Sequence, residues 1–339
     1  MTRFLLTTNP GIEDIAKNEV KNKISPTRIY NFFNFPGKFV IETSDSNINK
    51  ILKLHSIYHV IKLLGSFEIS KLDDIYNNLI AMDIEDIQNA ESFRITSERF
   101  GEHDFTSMHV QKVAGQAVVD KYKKKVDLKG FDVNLRVDVI GKRCFVGVQL
   151  TRESLHKRFE KPFNHPASIK APLAYAMLIL SDIKKGNSLL DPFCGSGTIP
   201  IESALVYGSA IKIYGSDKEE FFIKGARKNA ESAGVENLIE FRVADARSIN
   251  EVYKDIDRIV TNPPYGVRIG KDKTIKHIIH KFLLAACLSL NDDGRIVMIN
   301  LRANSIRNII YKTRKFTVVH ERVVESGGLY PHIFVLEKI

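Results

Sequence analysis

The sequence is short of cysteine, and Cys144, Cys194 and Cys287 lie far apart. Without paired spacing they predict neither a disulfide framework nor a zinc site, and they fit a reducing cytoplasm. Long apolar runs are also missing, because residues 282–290 fall far short of the roughly 20 residues that span a bilayer. The first four residues lack a full signal-peptide pattern. We therefore expect a cytoplasmic protein without membrane segments and without a bound metal.

Acidic residues are outnumbered, with 40 Asp and Glu against 50 Lys and Arg, which gives a formal net charge of +10. Such an excess favours polyanionic partners, nucleic acid above all, although an ordinary basic surface would also account for it. The 44% hydrophobic and 27% charged residues are typical of a soluble globular protein. At 339 residues the chain is long enough for two or three domains.

Residues 1–70 alternate between strand and helix patterns. The predicted order is a strand at 4–6, a helix at 9–23, a hairpin of 28–35 and 38–43, a helix at 47–57 and a strand at 59–69. Asn9 is placed as the helix N-cap, with Pro10 in the first turn. The hairpin turns at Pro36 and Gly37. The order βαββαβ predicts a ferredoxin-like domain.

Residues 71–155 predict a second α+β domain. It contains helices at 72–82 and 107–124, a strand at 92–97, and a hairpin of 133–139 with 144–150. Residues 156–170 are rich in Lys and Arg and contain two prolines, so we predict a linker that helps to line an RNA groove.

Residues 171–339 predict an α/β domain with a doubly wound parallel sheet. An apolar helix at 171–180 precedes strands at 188–191, 211–215, 239–243, 256–261 and 295–300. Helices are predicted between them at 199–206, 219–233 and 274–288. Two final strands, 317–324 and 333–338, have no helix between them and predict an antiparallel edge hairpin.

The stretch Thr261-Asn-Pro-Pro-Tyr-Gly266 follows a buried strand, where open α/β sheets place their chemistry. Its prolines stiffen the backbone and have no N–H, so nearby carbonyls stay free as acceptors. Asn262 adds an amide and Tyr265 an aromatic ring. This set suits an exocyclic amino group on a planar base, with acceptors for its hydrogens and a ring for stacking.

The segment Asp191-Pro-Phe-Cys-Gly-Ser-Gly-Thr198 lies between a strand and its helix. Its glycines permit a sharp turn, and the helix N-terminus offers N–H groups to a carboxylate or phosphate. Pro200 stands where the dinucleotide fingerprint requires a third glycine, and no Gly-Lys-Ser/Thr follows. These two departures argue against a dinucleotide site and a P-loop.

Two more acids end predicted strands. Asp217 lies 20 residues after Gly197, where an acid commonly binds ribose hydroxyls, although it could instead cap the next helix. Asp245, followed by Ala246, either accepts from an adenine amino group or caps a turn. With Asp191, these acids occupy three successive strand ends, and one nucleoside lying across them would account for all three.

The two motifs, in this order and at this separation, resemble those of the class I S-adenosylmethionine-dependent amino-group methyltransferases. Residues 93–107, with Val126-Asp-Leu128 and 146–158, look like a THUMP RNA-binding domain. A THUMP domain with a ferredoxin-like partner ahead of this methyltransferase resembles the tRNA guanine-6 N2-methyltransferases and the related ribosomal RNA guanine methyltransferases. The resemblance covers nearly the whole chain and implies a Rossmann-like methyltransferase domain.

This resemblance implies roles for individual residues. The methionine end of the cofactor would contact Asp191 and the loop Cys194, Gly195, Ser196, Gly197 and Thr198. Asp217, with Lys218 beside it, would bind the ribose, and Asp245 and Ala246 the adenine edge. Asn262 and the Pro263 carbonyl would accept from the base amino group, next to the cofactor, while Tyr265 stacks on the ring.

The expected substrate is a guanosine in tRNA, most specifically position 6 of the acceptor stem, bound by a monomer. The related guanine-10 enzymes typically carry Asp-Pro-Pro-Tyr, so Asn262 favours monomethylation. Alternatives are ribosomal RNA, guanine-10 of tRNA, adenine in DNA, and RNA binding without catalysis. Carbon methylation is disfavoured, because Cys194 is interpreted as a packing residue. The residues predicted to contact RNA are Arg99, Lys121, Lys124, Lys142, Arg143, Arg152, Lys157, Arg158, Lys161 and Arg302.

Overall fold

The computed structural model describes residues 1–30, 36–265 and 272–339, with the backbone alone for residues 272 and 273. The chain forms two compact units. One contains Met1–Thr8 and Lys17–Leu155, and the other contains Asn9–Ala16 and His156–Ile339. Within the described residues, no helix is both long and apolar enough to cross a membrane.

The first unit is built on one sheet, which has nine strands in the described part of the chain. The elements in chain order are β1 Thr2–Thr7, α1 Glu13–Lys23, β2 Thr27–Tyr30, β3 Lys38–Thr43, α2 Ile48–Ile51, β4 His59–Glu68, α3 Leu72–Ala81, α4 Glu85–Gln88, β5 Ser92–Thr96, β6 Arg99–Phe100, α5 Ser107–Tyr122, β7 Lys125–Val126, β8 Val133–Ile140 and β9 Arg143–Gln149. The first four residues of α1 belong to the second unit.

The strand order of this sheet is β2-β3-β1-β4-β9-β8-β5-β7, with β6 paired to β8. The first four strands have the antiparallel order of a ferredoxin-like fold. Antiparallel pairing of β4 with β9 extends the sheet past residue 70. The predicted division into residues 1–70 and 71–155 stays a prediction, and one continuous sheet crosses it.

Two predicted helices differ from the structure. The helix predicted from Asn9 begins at Glu13, because Gly11 takes a φ of +95°, outside the helical region. Asn9 does not cap it. Its amide donates to the Glu325 carbonyl at 2.8 Å. The helix predicted over 47–57 is reduced to Ile48–Ile51 after a short 3-10 turn. Part of the predicted strand 28–35 lies outside the described residues.

The second unit is a doubly wound α/β domain. Its elements are α6 Ala171–Leu180, β10 Ser188–Asp191, α7 Thr198–Tyr207, β11 Lys212–Asp217, α8 Glu220–Ser232, β12 Ile239–Val243, β13 Ile256–Thr261, α9 Asp272–Ser289, β14 Leu290–Asn300, α10 Ala303–Thr313, β15 Phe316–Val323 and β16 His332–Lys338. The strand order is β12-β11-β10-β13-β14-β16-β15. All neighbours are parallel except β16, which is antiparallel to both β14 and β15. The predicted edge hairpin is confirmed.

Alternate residues of the central strands bury opposite faces of this sheet. Val260 and Val297 belong to the core that includes α6 and α7, whereas Ile259 and Ile296 belong to the core that includes α9 and α10. Burial of both faces explains why the strands read as continuous apolar runs. The strand order reverses between β10 and β13, and the crevice at their carboxyl ends is where such sheets bind ligands.

Candidate active site

Asp191 and Thr261 join the two strand ends that border the crevice. The Thr261 hydroxyl donates to Asp191 Oδ1 at 2.7 Å, and the Phe193 N–H donates to the same oxygen at 3.1 Å. Asp191 is only 2% exposed, and burial is the main reason why its pKa is raised to about 7. The end of β10, where Asp191 lies, is therefore joined by a hydrogen bond to Thr261, the residue before Asn262.

The glycine-rich loop turns sharply between β10 and α7. Gly195 and Gly197 have φ of +52° and +79°, the left-handed region that favours glycine. A Cβ on Gly197 would lie 3.1 Å from the Ala226 Cβ, so the loop packs closely on α8. Thr198 opens α7, and the amino end of that helix carries the partial positive charge that suits an anion.

Asp217 ends β11 and is partly exposed beside this loop. Its carboxylate accepts from the Gly195 N–H at 3.2 Å and from the Glu219 N–H at 3.1 Å. Burial raises its pKa, against the effect of those two bonds. Glu219 is the N-cap position of α8, so Asp217 supports the helix start while its place at the strand end still suits a ribose. The exposed Lys218 forms an ion pair with Glu219.

Asp245 adopts the turn-capping arrangement that the sequence left open. It is the N-cap of the short 3-10 helix Ala246–Glu251 and accepts from the Arg247 N–H at 2.9 Å. The Arg247 guanidinium also binds its carboxylate, and this contact lowers the pKa of Asp245. Its predicted contact with adenine stays a prediction.

The Asn262 amide is oriented by the main chain of a distant segment. Its Nδ2 donates to the Ala167 carbonyl at 2.9 Å. Because a carbonyl accepts only from the amide's NH2 group, this bond fixes which way the side chain faces. Asn262 Oδ1 is enclosed and has no hydrogen-bond donor among the described residues. An acceptor left in this state incurs a desolvation cost that a bound donor removes.

The residues after Asn262 are only partly described. Pro263 is buried, Pro264 is exposed and Tyr265 is half-buried, and burial raises the pKa of the Tyr265 hydroxyl so that it stays neutral. Gly266, the last residue of the predicted stretch, lies outside the described residues.

Residues 160–168, predicted as part of a linker, are held against the glycine-rich loop by hydrogen bonds. The Phe163 N–H and carbonyl bond to the Asn229 side chain at 3.0 and 2.9 Å. The same Asn229 amide donates to the Ser196 carbonyl at 2.9 Å. The hydroxyls of Ser168 and Ser196 lie 2.5 Å apart. Together with the Ala167–Asn262 bond, these contacts connect one segment to the loop and to the amide of Asn262.

Aromatic rings of this segment pack on α8. A Cβ on Gly225 would lie 2.2 Å from the Phe163 ring, so only glycine leaves room for that ring. Phe163 meets Phe221 edge-on at 5.2 Å, and His165 meets Phe222 edge-on at 4.6 Å. Burial lowers the pKa of His165, which favours its neutral form.

Cys194 is 6% exposed and belongs to the hydrophobic core. Its N–H donates to the Ser216 carbonyl at 2.9 Å, and burial raises the pKa of its thiol well above the usual range. A thiol in that state is a poor nucleophile. This agrees with a packing role and weighs against carbon methylation.

The cations predicted to contact RNA fall into two groups. In the first unit, three of them are exposed, namely Lys142, Arg143 and Arg152, and Lys124 is partly exposed. The other two make local contacts: Arg99 donates to the Gly101 carbonyl, and Lys121 forms an ion pair with Asp83. In the second unit, Lys157 is exposed and Arg302 is partly exposed.

Two of the residues predicted to contact RNA bind side chains of α7 instead. Arg158 lies 3.4 Å from the buried carboxylate of Glu202, and Lys161 donates to the Thr198 hydroxyl at 2.9 Å. Their role in RNA binding stays a prediction, and these inward contacts weigh against it.

The sequence motifs identified Asp191, Asp217 and Asn262, but not the partners that hold them. The sequence named Lys161 only as an RNA contact and Thr261 only as the start of the stretch, and it did not indicate Ala167, Ser168 or Asn229. A signal existed in the apolar residues at 159, 163 and 169 among the charges, since a solvated linker does not need them.

Comparison with known proteins identifies both halves of the chain. A family described as the RMKL-like methyltransferase domain matches residues 158–332, and the THUMP domain matches residues 70–149. A protein from Archaeoglobus fulgidus named tRNA (guanine(6)-N2)-methyltransferase is 35% identical and covers 99% of this chain and 92% of its own length. A protein of the same name from Thermus thermophilus is 35% identical and covers 98% of both chains.

A solved structure matches the whole chain as well. The crystal structure of TrmN from Thermus thermophilus matches with a TM-score of 0.87 and 33% identity, covering 100% of both chains. A more distant relative from Methanocaldococcus jannaschii, 28% identical over 67% of each chain, is named tRNA (guanine(10)-N2)-dimethyltransferase.

Proposed function

The chain belongs to the THUMP-containing RMKL-like methyltransferases, and from that premise we propose that it methylates the exocyclic 2-amino group of guanosine 6 in tRNA. It is a methyltransferase that uses S-adenosylmethionine, and its product is N2-methylguanosine. The observation that carries the proposal is the enclosed Oδ1 of Asn262, an acceptor whose direction is set by the Ala167 carbonyl.

In this proposal, Asn262 accepts a hydrogen bond from the amino group of the base. The nitrogen lone pair is delocalised into the guanine ring, and an acceptor on its hydrogens favours localising that pair on nitrogen. We assign this role to Asn262 Oδ1 and the Pro263 carbonyl, with Tyr265 stacking on the ring. When bound, the cofactor supplies an electrophilic methyl group. The target nucleotide must leave its stack to enter such a site.

The strand ends beside Asn262 fit the cofactor. The left-handed turn at Gly195 and Gly197 brings backbone close to any ligand, and the amino end of α7 favours a carboxylate. We assign the methionine ammonium to Asp191 and the ribose to Asp217. The direct bond between Thr261 and Asp191 supports one site for both substrates.

Asp191 predicts a pH dependence of cofactor binding. A carboxyl near an ammonium is favoured in its ionised form, so binding should release the proton that Asp191 holds below pH 7. We expect S-adenosylhomocysteine affinity, measured calorimetrically, to rise up to about tenfold from pH 6 to pH 8. Asp191→Asn should show no such rise. A wild-type affinity that is flat across this range would contradict the assignment.

The same raised pKa has a consequence for stability. A carboxyl is ordinarily half-ionised near pH 3.9 in an unfolded chain, whereas the folded Asp191 retains its proton to about pH 7. Its contribution to stability is therefore greatest below about pH 4 and is lost as the pH rises to about 7.

Recognition of tRNA is assigned to the THUMP-containing unit together with cations of the catalytic unit. RNA helices are recognised largely through shape, phosphates and 2′-hydroxyls, which suits exposed Lys and Arg. In the catalytic unit, a cavity of about 510 Å³ is lined by Arg302, Arg307, Asn304, Ser305 and His332 at the start of α10. Arg307 and His332 both bind the carboxylate of Glu321. We therefore assign the phosphate of the substrate to Arg302 and the polar side chains beside it.

The exposed pair Lys142 and Arg143 provides a test of this assignment. Each phosphate contact of a cation contributes about 0.7 to 0.9 to the slope of log affinity against log salt. We expect Lys142→Ala with Arg143→Ala to weaken tRNA binding and reduce that slope by about 1.5, without changing cofactor affinity. Arg158→Ala, which removes a cation facing Glu202, should leave the slope unchanged.

The direct test of the function is product analysis. The protein is incubated with labelled S-adenosylmethionine and unmodified tRNA, and the methylated nucleoside is located after digestion. N2-methylguanosine at position 6 supports the proposal. Label at position 10, in ribosomal RNA or in duplex DNA would select an alternative, and no label despite cofactor binding would select RNA binding without catalysis. Action as a monomer, in the cytoplasm and without metal, belongs to the same proposal, and light scattering tests its first part.

A further inference from the structure

Lys161 is fixed beside the glycine-rich loop by the backbone on both sides of it. The Glu160 carbonyl accepts from the Ser232 hydroxyl at 2.9 Å, and the Phe163 backbone is bonded twice to Asn229. Between these anchors, Lys161 Nζ reaches the Thr198 hydroxyl at 2.9 Å. The position of the ammonium is therefore set by the fold, unlike that of a lysine on a solvated linker.

This ammonium occupies an electrostatically unfavourable place. Thr198 is the first residue of α7, and the amino end of a helix disfavours a cation. Burial lowers the pKa of Lys161, and the acid that opposes this effect, Glu202, also faces Arg158 at 3.4 Å. An anion bound at the amino end of α7 would offset both costs, because it would interact favourably with the ammonium and with the helix.

The hydrogen-bonding capacity of Lys161 and Thr198 also favours an anion at this position. An ammonium has three N–H donors, and the Thr198 hydroxyl accepts one of them. Once that hydroxyl accepts from Lys161, its own proton is available to donate. The pair thus presents several donors at one helix end, as a carboxylate requires.

We propose that Lys161, with Thr198, binds the carboxylate of the methionine part of the cofactor. This inference rests on the proposed function, because it assumes that the methionine end lies at the glycine-rich loop. It gives Lys161 a cofactor-binding role in place of the RNA contact predicted from the sequence. The same contact would make the protein select cofactors that carry an amino-acid carboxylate.

The test compares a ligand that carries this carboxylate with one that lacks it. S-adenosylhomocysteine carries the amino-acid carboxylate, and 5′-methylthioadenosine lacks the whole amino-acid part. We expect Lys161→Met to lower the affinity for S-adenosylhomocysteine at least tenfold in calorimetry, with the affinity for 5′-methylthioadenosine unchanged. Lys161→Arg, which keeps a cation, should retain part of the affinity. Lys184→Met is the matched control, because Lys184 is exposed and pairs only locally with Asp182.

The outcomes separate the possible roles of Lys161. Equal losses for both ligands would show that Lys161 only holds the segment in place, and unchanged affinity for both would exclude any role; either result overturns the inference. A melting curve identifies a variant that fails to fold, and in that case Lys161→Arg carries the test. If the wild-type protein binds S-adenosylhomocysteine but methylates no RNA, the proposed function fails while the role of Lys161 stands. If the wild type binds neither ligand, both fail.

Discussion

Replacing Asn262 with alanine is expected to lower the rate of methyl transfer roughly 100- to 1,000-fold, the usual effect of losing one preorganised polar contact to a transition state. The physical reason is the loss of Oδ1, the acceptor proposed to localise the lone pair of the guanine amino group. Alanine is smaller and introduces no charge, so the affinities for tRNA and cofactor should stay within a few-fold. Single-turnover methylation with saturating enzyme measures the step itself.

Asn291→Ala is a matched control for this variant. Asn291 also makes one amide hydrogen bond, to Asp257 Oδ1 at 2.8 Å, but it lies at the amino ends of the strands, opposite the crevice. It should lose some stability and keep its single-turnover rate. A normal rate in Asn262→Ala would remove the proposed role, and a loss confined to tRNA affinity would assign Asn262 to binding alone.

Most strands of the methyltransferase half could be predicted from the sequence, although β14 begins at Leu290 and not at the predicted residue 295. Strands 188–191, 239–243 and 256–261 have the predicted bounds. The central strands 188–191 and 256–261 are largely buried and end where polar residues meet the crevice, whereas the edge strand 239–243 alternates buried Ile and Phe with exposed Glu and Arg. The same logic placed Asp191 and Asn262 at strand ends. Their roles stay predictions, but their placement at neighbouring strands follows from the parallel order.

Contacts between distant residues could not be predicted in this way. The Phe163–Asn229 bonds join residues 66 apart, and nothing local in either residue indicates the other. The start of α1 depended on a similar contact. A Cβ on Gly11 would lie 2.2 Å from the Val323 carbonyl, so Gly11 is required by packing against a strand more than 300 residues away, whereas the local pattern favoured a helix. The local sequence also suggested a linker at 156–170 because its prolines and charges are typical of one.

The fit between Gly225 and Phe163 predicts the second large effect. In the middle of an exposed helix, Gly→Ala ordinarily stabilises by up to about 1 kcal/mol. At Gly225 the new Cβ would overlap the Phe163 ring, so the ring and the 160–168 segment must move. Because that segment holds Ser196 and the Asn262 amide, we expect Gly225→Ala to weaken S-adenosylhomocysteine binding at least tenfold and to lower methylation further.

Two further variants identify the cause. Gly115→Ala makes the same change in α5, where the new Cβ would meet Ile95 at an ordinary 3.8 Å, so it should raise the melting temperature and leave cofactor affinity unchanged. Phe163→Ala combined with Gly225→Ala removes the overlap, and the double variant should bind the cofactor better than the sum of the two single losses predicts. Strict additivity would mean that the two residues act independently. In that case the 160–168 segment would not be what keeps the glycine-rich loop in its binding conformation.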